Sequence, residues 1–424
     1  MNIWYFHHYA TPTSIAGLHR PYEFGKYFLN KGNKLTVFSS SYLHYADENM
    51  IEDNSLYIEK DYDGVKAVFV KTCGYSNSGI KRIKNMAEFY FRVLKVSKRY
   101  LKNHEKPDVI IASSPHPFVM MAGLKIAKKL GIPCISEVRD FWPEVFFTGG
   151  KLKEKSLIGR ILLSGEKNIY KKSDGIVFLK EGDHTYIDEK KWGIEDGGPI
   201  DKKKCYYVNN CVDIEKFDER KNTNVFVDED LDGDGFKVVY CGAIRPVNNV
   251  GLLLDAAKFV DDGVQILIYG NGNCVDELNE RIKTENLSCV KMKGFVENKY
   301  VPYILSKSDV NVLNYSAKKY NWSRGNSSNK MFEYLASGKP VISTVKMGYD
   351  ILEKNSCGLS CEQCDGENIA GRINEIKNLS LEKYNEMCQN ARRASLEYDM
   401  PILAEKYLSV INEVTTNYKK GEKK

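Results

Sequence analysis

At 424 residues the chain is too long for one ordinary hydrophobic core and fits two α/β domains of about 200 residues each. Hydrophobic residues at 42% and charged residues at 28% match a soluble globular protein, and no apolar run approaches the roughly 18 residues that span a bilayer. The net charge of +6 is uneven, with 30 Lys/Arg against 23 Asp/Glu in residues 1–200 and 32 against 33 in the rest; this excess is too small for a nucleic-acid binder but suits a surface facing anionic lipid.

The opening run Met1–Phe6 has neither a basic leader nor a small-residue cleavage site, so it reads as a first strand and implies a cytoplasmic protein. Eleven cysteines, an odd number, agree with a reducing compartment; Cys134, Cys205, Cys241 and Cys289 sit in apolar strand-like runs as small buried hydrophobes do. Strands are predicted at 2–7, 33–39, 66–70, 108–112, 133–138, 175–179 and 204–208. Helices are predicted between them at 15–31, 80–103, 117–130 and 156–172.

After Asn209–Asp213, the acidic stretch 222–235 reads as a solvated junction, and the alternation then restarts. Strands are predicted at 236–242, 264–269, 289–293, 309–313 and 339–343, and helices at 249–259, 273–285 and 328–336. Closing helices are predicted from about 381 to 418, with a frayed tail at 419–424. Strand–helix alternation of this kind predicts parallel sheets covered on both faces, with ligands beyond the carboxyl ends of the strands.

The richest segment for chemistry is Ser327-Ser328-Asn329-Lys330-Met331-Phe332-Glu333-Tyr334, followed by Gly338-Lys339-Pro340. A polar loop there opens a helix whose first amides can hold a diphosphate. Lys330 in the first turn adds a charge-assisted contact of roughly 1.5–3 kcal/mol. Glu333, one turn on, can accept both hydroxyls of a ribose. A plain surface helix carrying one lysine and one glutamate explains the same letters about equally well.

This segment resembles the Ser-Pro-x-Lys-x-x-Glu-Tyr-x-Ala-x-Gly-x-Pro-Val motif of retaining glycosyltransferases of family 4, in the branch that builds fucosamine-containing and other bacterial surface polysaccharides. Glu137-Val138-Arg139-Asp140-Phe141-Trp142-Pro143 is similar to that branch's Arg-Asp-x-Trp-Pro signature. Asn210–Asp213, Tyr240–Arg245, Gly270–Gly272 and Gly294–Val296 resemble further family motifs in the usual order.

The resemblance implies an α/β GT-B fold: two doubly wound Rossmann-like domains facing an interdomain cleft. The expected divisions are an acceptor domain at 1–210, a nucleotide-sugar domain at 211–395, and a helix at 396–418 crossing back to the first domain. It further implies that Glu333 binds the ribose and that Gly294, Phe295 and Val296 offer backbone groups to the base. Arg245, Lys330 and the amides of Ser328 and Asn329 are expected to neutralise the diphosphate, with backbone at Gly17 approaching it. His116 is expected beside the donor sugar, and Asp140 orients the acceptor or acts as base; for Asp140, a buried turn cap is an equal alternative.

Two family features are missing. Gly325 stands where the wider family has the first of two glutamates, and Asn248 and Asn249 stand near the usual phosphate lysine. Cys357, Cys361 and Cys364 have the spacing of an iron–sulfur site but fall where the family has a plain strand and loop. The acidic run 228–235 lacks the bidentate glutamate of a calcium loop, and Gly270–Gly272 lacks the third glycine of an NAD fingerprint.

The 80–102 helix interleaves apolar residues with Lys81, Arg82, Lys84, Arg92 and Lys95, as an interfacial helix does; a basic face packed on its own sheet is the alternative. Taken together, these readings predict a retaining, metal-independent enzyme at the inner face of the cell membrane. It would move a sugar, from a UDP-sugar as expected donor, to a lipid-linked or polysaccharide acceptor in capsule, O-antigen or exopolysaccharide synthesis. The nucleotide-sugar is a substrate, and no cofactor or nucleic acid is expected. The alternatives are an enzyme like UDP-N-acetylhexosamine 2-epimerase and a degenerate nucleotide-binding partner protein.

Overall fold

In the computed structural model the described residues are 1–75, 78–317 and 321–421. The chain divides into two units, Met1–Val208 together with Ala404–Lys424, and Asn209–Leu403.

The first unit is built on an eight-stranded sheet. Its strands are β1 (Asn2–His7), β2 (Lys34–Ser40), β5 (Tyr57–Tyr62), β6 (Val65–Val70), β7 (Val109–Ser113), β8 (Cys134–Val138), β9 (Gly175–Phe178) and β10 (Cys205–Tyr207), with a small hairpin of β3 (Tyr42–Leu43) and β4 (Glu48–Asn49) set apart. The order is β10-β9-β8-β7-β1-β2-β6-β5. All pairings are parallel except β5 with β6, an antiparallel edge hairpin absent from the sequence reading. Val65–Val70 alternates little because both its faces are covered, whereas Tyr57-Ile58-Glu59-Lys60-Asp61-Tyr62 carries three charges on an exposed edge.

One core joins Trp4, Phe6 and Phe38 to Phe89, Val93 and Tyr100 of the helix Gly79–Tyr100. The Trp4 ring lies 4.9 Å from Phe38 and 5.8 Å from Tyr100. Each such side chain taken from water contributes roughly 1.5–3 kcal/mol.

The first helix runs from Arg20 to Asn30 rather than from 15. Residues 11–19 instead fold back, with Thr11 N donating to Leu18 O at 3.1 Å and the Thr11 hydroxyl facing the carbonyls of Ile15 and Ala16. The last helix, Met400–Gly421, joins this unit from Ala404 onward. Its Tyr407 packs edge-on against Phe24, and Glu413 accepts from Tyr206 Oη at 2.9 Å. The expected fraying does not occur at 419–421, which remain helical; residues 422–424 lie outside the described residues.

The second unit has a six-stranded parallel sheet of β11 (Phe236–Cys241), β12 (Val264–Tyr269), β13 (Val290–Gly294), β14 (Val310–Leu313), β15 (Val341–Ser343) and β16 (Gly358–Ser360). Its order is β13-β12-β11-β14-β15-β16. In both sheets the winding direction reverses once, between β1 and β7 in the first unit and between β11 and β14 in the second. Open α/β sheets bind ligands at the carboxyl ends of such strands.

The acidic stretch 222–235 lies inside the second unit rather than at the junction; most of it is exposed, but it is pinned at Asp228. Asp228 is buried, accepts from Tyr269 Oη at 3.0 Å and pairs with Lys293 at 2.7 Å, and Lys293 also reaches Asp230 at 2.7 Å. The Asp228 carboxylate also caps the turn Glu229–Asp232. These charges seal the edge of the second sheet.

Candidate functional site

In the second unit the reversal point is filled by the start of the helix Asn329–Ala336. Tyr334 anchors it: its hydroxyl accepts from Cys241 N and donates to Cys241 O, both at 3.0 Å, so the end of β11 and this helix form one piece. Asn209 Nδ2 donates to Asn326 O at 3.1 Å and Asn210 Nδ2 to Ser327 O at 2.6 Å, fixing the loop that feeds the helix. These amides give the Asn-Asn pair at the start of this unit a positioning role that sequence alone did not reveal.

Lys330 leaves the first turn toward β11. Its Nζ donates to Tyr240 Oη at 3.1 Å, lies 4.8 Å above the Tyr240 ring and 5.8 Å from the Tyr315 ring, and abuts Gly242. Burial among these rings pulls its ammonium down to about 8. Glu333 is half-buried one turn on, and its charge reaches both Lys330 and the buried Cys241 thiol. That thiol is pushed up to about 12, mainly by burial, and is therefore inert.

Not every expected ligand is presented. The amide of Ser328 is taken by Asn326 Oδ1 at 2.8 Å within the loop, because Asn326 closes a turn there; it does not point outward. Asn329 is exposed at the helix start. Arg245 is exposed on the turn after β11, its carbonyl accepting from the amide of Asn248 at 2.9 Å. Gly294 O accepts from Gly270 N at 2.7 Å, while the Phe295 ring is 72% exposed. Gly270 and Gly272 lie against the backbone of Gly242 and Ile244, where a side chain would collide.

Gly325 has φ +98°, in the left-handed region that an L side chain resists. The glycine found where the wider family has glutamate is thus demanded by its own backbone. Gly325→Glu is expected to destabilise the protein by about 1–2 kcal/mol in urea unfolding. An unchanged midpoint would mean that the loop relaxes freely.

In the first unit the reversal point brings together His7 and His8 at the end of β1 and His116 after β7. All three are buried. The His8 ring lies 4.7 Å from the His116 ring, and His8 Nε2 contacts Asn85 Oδ1 at 2.7 Å. Burial pulls His7 and His8 to about 3 and holds His116 well below its usual range, so all three are neutral imidazoles. Neither ring nitrogen of His116 has a hydrogen-bond partner among the described residues. Residues 7 and 116 are too distant in sequence for any local pattern to join them.

Beside them, Glu137 is fully buried and accepts from Tyr5 Oη at 2.7 Å, Ser113 Oγ at 2.7 Å and Arg20 Nε at 3.1 Å. Burial favours its neutral form, but Arg20 and Arg139 outweigh that and hold it at about 2. Asp140 is exposed, which rules out the buried turn cap. Gly17, with φ +152°, sits where a Cβ would come 2.2 Å from Thr11 Oγ1, so the fold-back itself requires glycine.

Of the basic-helix residues, Lys81, Arg82, Lys84 and Lys95 are exposed. Arg92 is half-buried and donates to Lys71 O at 2.8 Å, and Arg82 donates to Tyr9 Oη at 3.2 Å with its guanidinium 5.9 Å from the Tyr75 ring. Both cations thus make hydrogen bonds within their own unit. No helix among the described residues is long and apolar enough to cross a membrane. Cys357 and Cys361 are buried and Cys364 half-buried; Cys357 Sγ faces the Ile351 and Leu352 carbonyls, whereas Cys364 Sγ faces that of Tyr315.

Comparison with known proteins supplies the family. Residues 21–216 match Glycosyltransferase Family 4, and residues 221–394 match Glycosyl transferases group 1. A Bacillus subtilis (strain 168) protein described as a teichuronic acid biosynthesis glycosyltransferase, TuaH, is 24% identical over 227 residues, which is 50% of this chain and 53% of that protein. The chain thus spans about half the length of the curated relative it matches. Among solved structures, Anabaena HepE in complex with UDP covers 97% of this chain and 99% of its own at 13% identity and TM-score 0.67. Sucrose-phosphate synthase from Thermosynechococcus elongatus covers 98% and 99% at 15% identity and TM-score 0.72. WaaG, a glycosyltransferase involved in lipopolysaccharide biosynthesis, covers 96% and 99% at 13% identity and TM-score 0.64. With a Family 4 domain followed by a group 1 domain, and the two parallel-sheet units of the GT-B fold, the chain belongs to the glycosyltransferases.

Proposed function

We propose that the protein transfers a sugar from a UDP-sugar, with retention of anomeric configuration and without a metal, to a lipid-linked or polysaccharide acceptor in the assembly of a bacterial surface polysaccharide such as capsule or O-antigen. The observation that carries this reading is Lys330: a half-buried lysine at a helix start whose ammonium packs on the Tyr240 ring, at the reversal point of the second sheet, one turn before Glu333. A diphosphate there would meet a fixed cation and the positive end of the helix, which stabilises charge developing on the leaving group. Glu333 would take the ribose hydroxyls, and Arg245 the outer phosphate oxygens. The UDP complexes of HepE support uracil as the base, and the relation to TuaH, described by teichuronic acid biosynthesis, supports a polysaccharide product. His116, a buried neutral imidazole whose ring nitrogens have no partner among the described residues, would suit a hydroxyl of the donor sugar.

The epimerase alternative gains the histidine cluster but loses the carboxylate, since Glu137 is held by Arg20, Tyr5 and Ser113.

Transfer or hydrolysis across a panel of UDP-, GDP- and dTDP-sugars tests the reading, with UDP-sugars expected to turn over. UDP binding without turnover of any donor would favour the degenerate form. Because Lys330 titrates near 8 and binds a diphosphate only as ammonium, UDP affinity is expected to be flat below pH 8 and to fall up to about tenfold per pH unit above it. Titration of UDP by calorimetry from pH 7 to 10 checks this.

A further inference from the structure

We propose that the Arg139 guanidinium, together with His7, takes an acidic group, a carboxylate or a phosphate, carried by one of the protein's sugar substrates. The inference rests on the reading of a sugar transferase and deepens it by naming the chemical class of what is moved or extended.

Parallel pairing lines up three polar residues where β1, β7 and β8 end, with His7 opposite Ser113 and Ser113 opposite Glu137. Two residues beyond Glu137, Arg139 returns its side chain to that row. Its Nη1 stands 4.0 Å from Glu137 Oε1, and its charge is felt at His7. The backbone is held in place from β7: Ser114 Oγ accepts from Arg139 N at 2.8 Å, and Ser114 N donates to Glu137 O at 2.9 Å. The guanidinium therefore starts from a fixed point rather than from a loose surface loop.

Glu137 does not satisfy it. That carboxylate already accepts from Arg20 Nε at 3.1 Å and from Tyr5 and Ser113 at 2.7 Å, and 4.0 Å is too long for a hydrogen bond. The Arg139 side chain is only 14% exposed, and its Nη1 is enclosed without a hydrogen-bond partner among the described residues. His7 is fully buried, and neither of its ring nitrogens has such a partner. Buried polar nitrogens are nearly always bonded, so three enclosed ones in a single row mark the place of a missing acceptor. Charge decides what that acceptor is. Two guanidiniums share one carboxylate while burial keeps His7 neutral, which leaves the row with surplus positive charge. Water would fill the hydrogen bonds and leave the charge; an anion answers both. The planar fork of the guanidinium matches the paired oxygens of a carboxylate or phosphate, and a neutral His7 offers one N–H in either tautomer. Asp140, the next residue, is exposed, so the row opens to the surface at Arg139.

The test has one arm for each substrate and uses the full chain. Calorimetric titration with UDP-glucose and UDP-glucuronate examines the donor as the source of the acid. NMR titration in the presence of UDP, comparing methyl glucoside with methyl glucuronide and glucose 6-phosphate, examines the acceptor. In one arm an acidic probe is expected to bind about tenfold more tightly than its neutral counterpart. Arg139→Gln is expected to erase that preference while UDP affinity stays at the wild-type level, a change in ratio that a merely structural arginine would not produce. Wild type that binds acidic and neutral probes equally in both arms would overturn the inference, and so would a preference that Arg139→Gln retains. Should Arg139→Gln lose UDP through misfolding, diffraction from wild-type crystals soaked in the preferred acidic probe decides. Acid oxygens on the Arg139 guanidinium would support the site, and an acid group lying elsewhere would overturn it. Acid preference among free sugars in a protein that binds no UDP-sugar would instead sink the transferase reading and leave this site standing.

Discussion

Replacing Lys330 with methionine is expected to stabilise the fold while weakening UDP binding, a combination that a structural lysine would not give. The Lys330 ammonium titrates at about 8 in the folded protein, below its ordinary 10.5, because the Tyr240 and Tyr315 rings bury it. A depressed lysine disfavours the folded state wherever it is charged. The penalty is complete below pH 8, shrinks as pH rises from 8 to 10.5, and vanishes above. Lys330→Met removes it, so at pH 7 the variant is expected to gain about 2 kcal/mol, a rise in Tm of roughly 4–8 °C, with the gain fading toward pH 10. The same change removes a charge-assisted contact, and UDP affinity is expected to fall about 30-fold. Differential scanning calorimetry across pH, paired with UDP titration, reads both. A variant that melts lower than wild type at pH 7 and binds UDP equally well would remove Lys330 from the site.

Glu137→Ala is expected to have the opposite signature, a large loss of stability centred on the first unit. Its carboxylate is fully buried, paired with Arg20 and bonded to Tyr5 and Ser113, and Arg20 also donates to Val208 O at 2.9 Å and stacks on Phe24 at 4.5 Å. Removing one member of a buried pair leaves an uncompensated charge, a cost of about 3–5 kcal/mol. Since the pair holds Glu137 at about 2, below its ordinary 4.5, its stabilisation is complete above pH 4.5 and is lost as pH falls toward 2. Denaturant unfolding of wild type and variant should therefore differ fully at pH 7 and converge near pH 2. Equal midpoints at pH 7 would show that the pair contributes nothing net.

The parts legible in the sequence were those written locally. Buried parallel strands such as Val109–Ser113 and Val264–Tyr269 are short apolar runs with turn residues at each end, and the helix Asn329–Ala336 announces itself through a polar start and the Gly338–Pro340 stop. The charged edge strand Tyr57–Tyr62 has no such pattern, because one sheet edge faces water and tolerates Glu59, Lys60 and Asp61. The fold-back before Arg20 was hidden by residues 15–19, which are acceptable in a helix until Thr11 is seen to hold them.

At the candidate site, Lys330 and Glu333 could be named from spacing along one helix, but what gives Lys330 its character could not. Tyr240 precedes it by 90 positions, and the amides that steady its loop come from Asn209 and Asn210. The Arg20–Glu137 pair, 117 positions apart, and the meeting of His8 with His116 are likewise products of sheet order. A local turn also took one expected donor: the Ser328 amide is consumed by Asn326 within its own loop, leaving Lys330 and the amides that follow for an anion.

The central claim is that a nucleotide diphosphate sits on the start of the helix Asn329–Ala336. Diffraction from crystals grown with UDP measures this directly. The account predicts phosphate oxygens within hydrogen-bonding reach of Lys330 Nζ and the Asn329 amide, with the ribose hydroxyls on Glu333. A diphosphate lying elsewhere, with Lys330 still bonded only to Tyr240 and Glu333 touching no ribose, would contradict it.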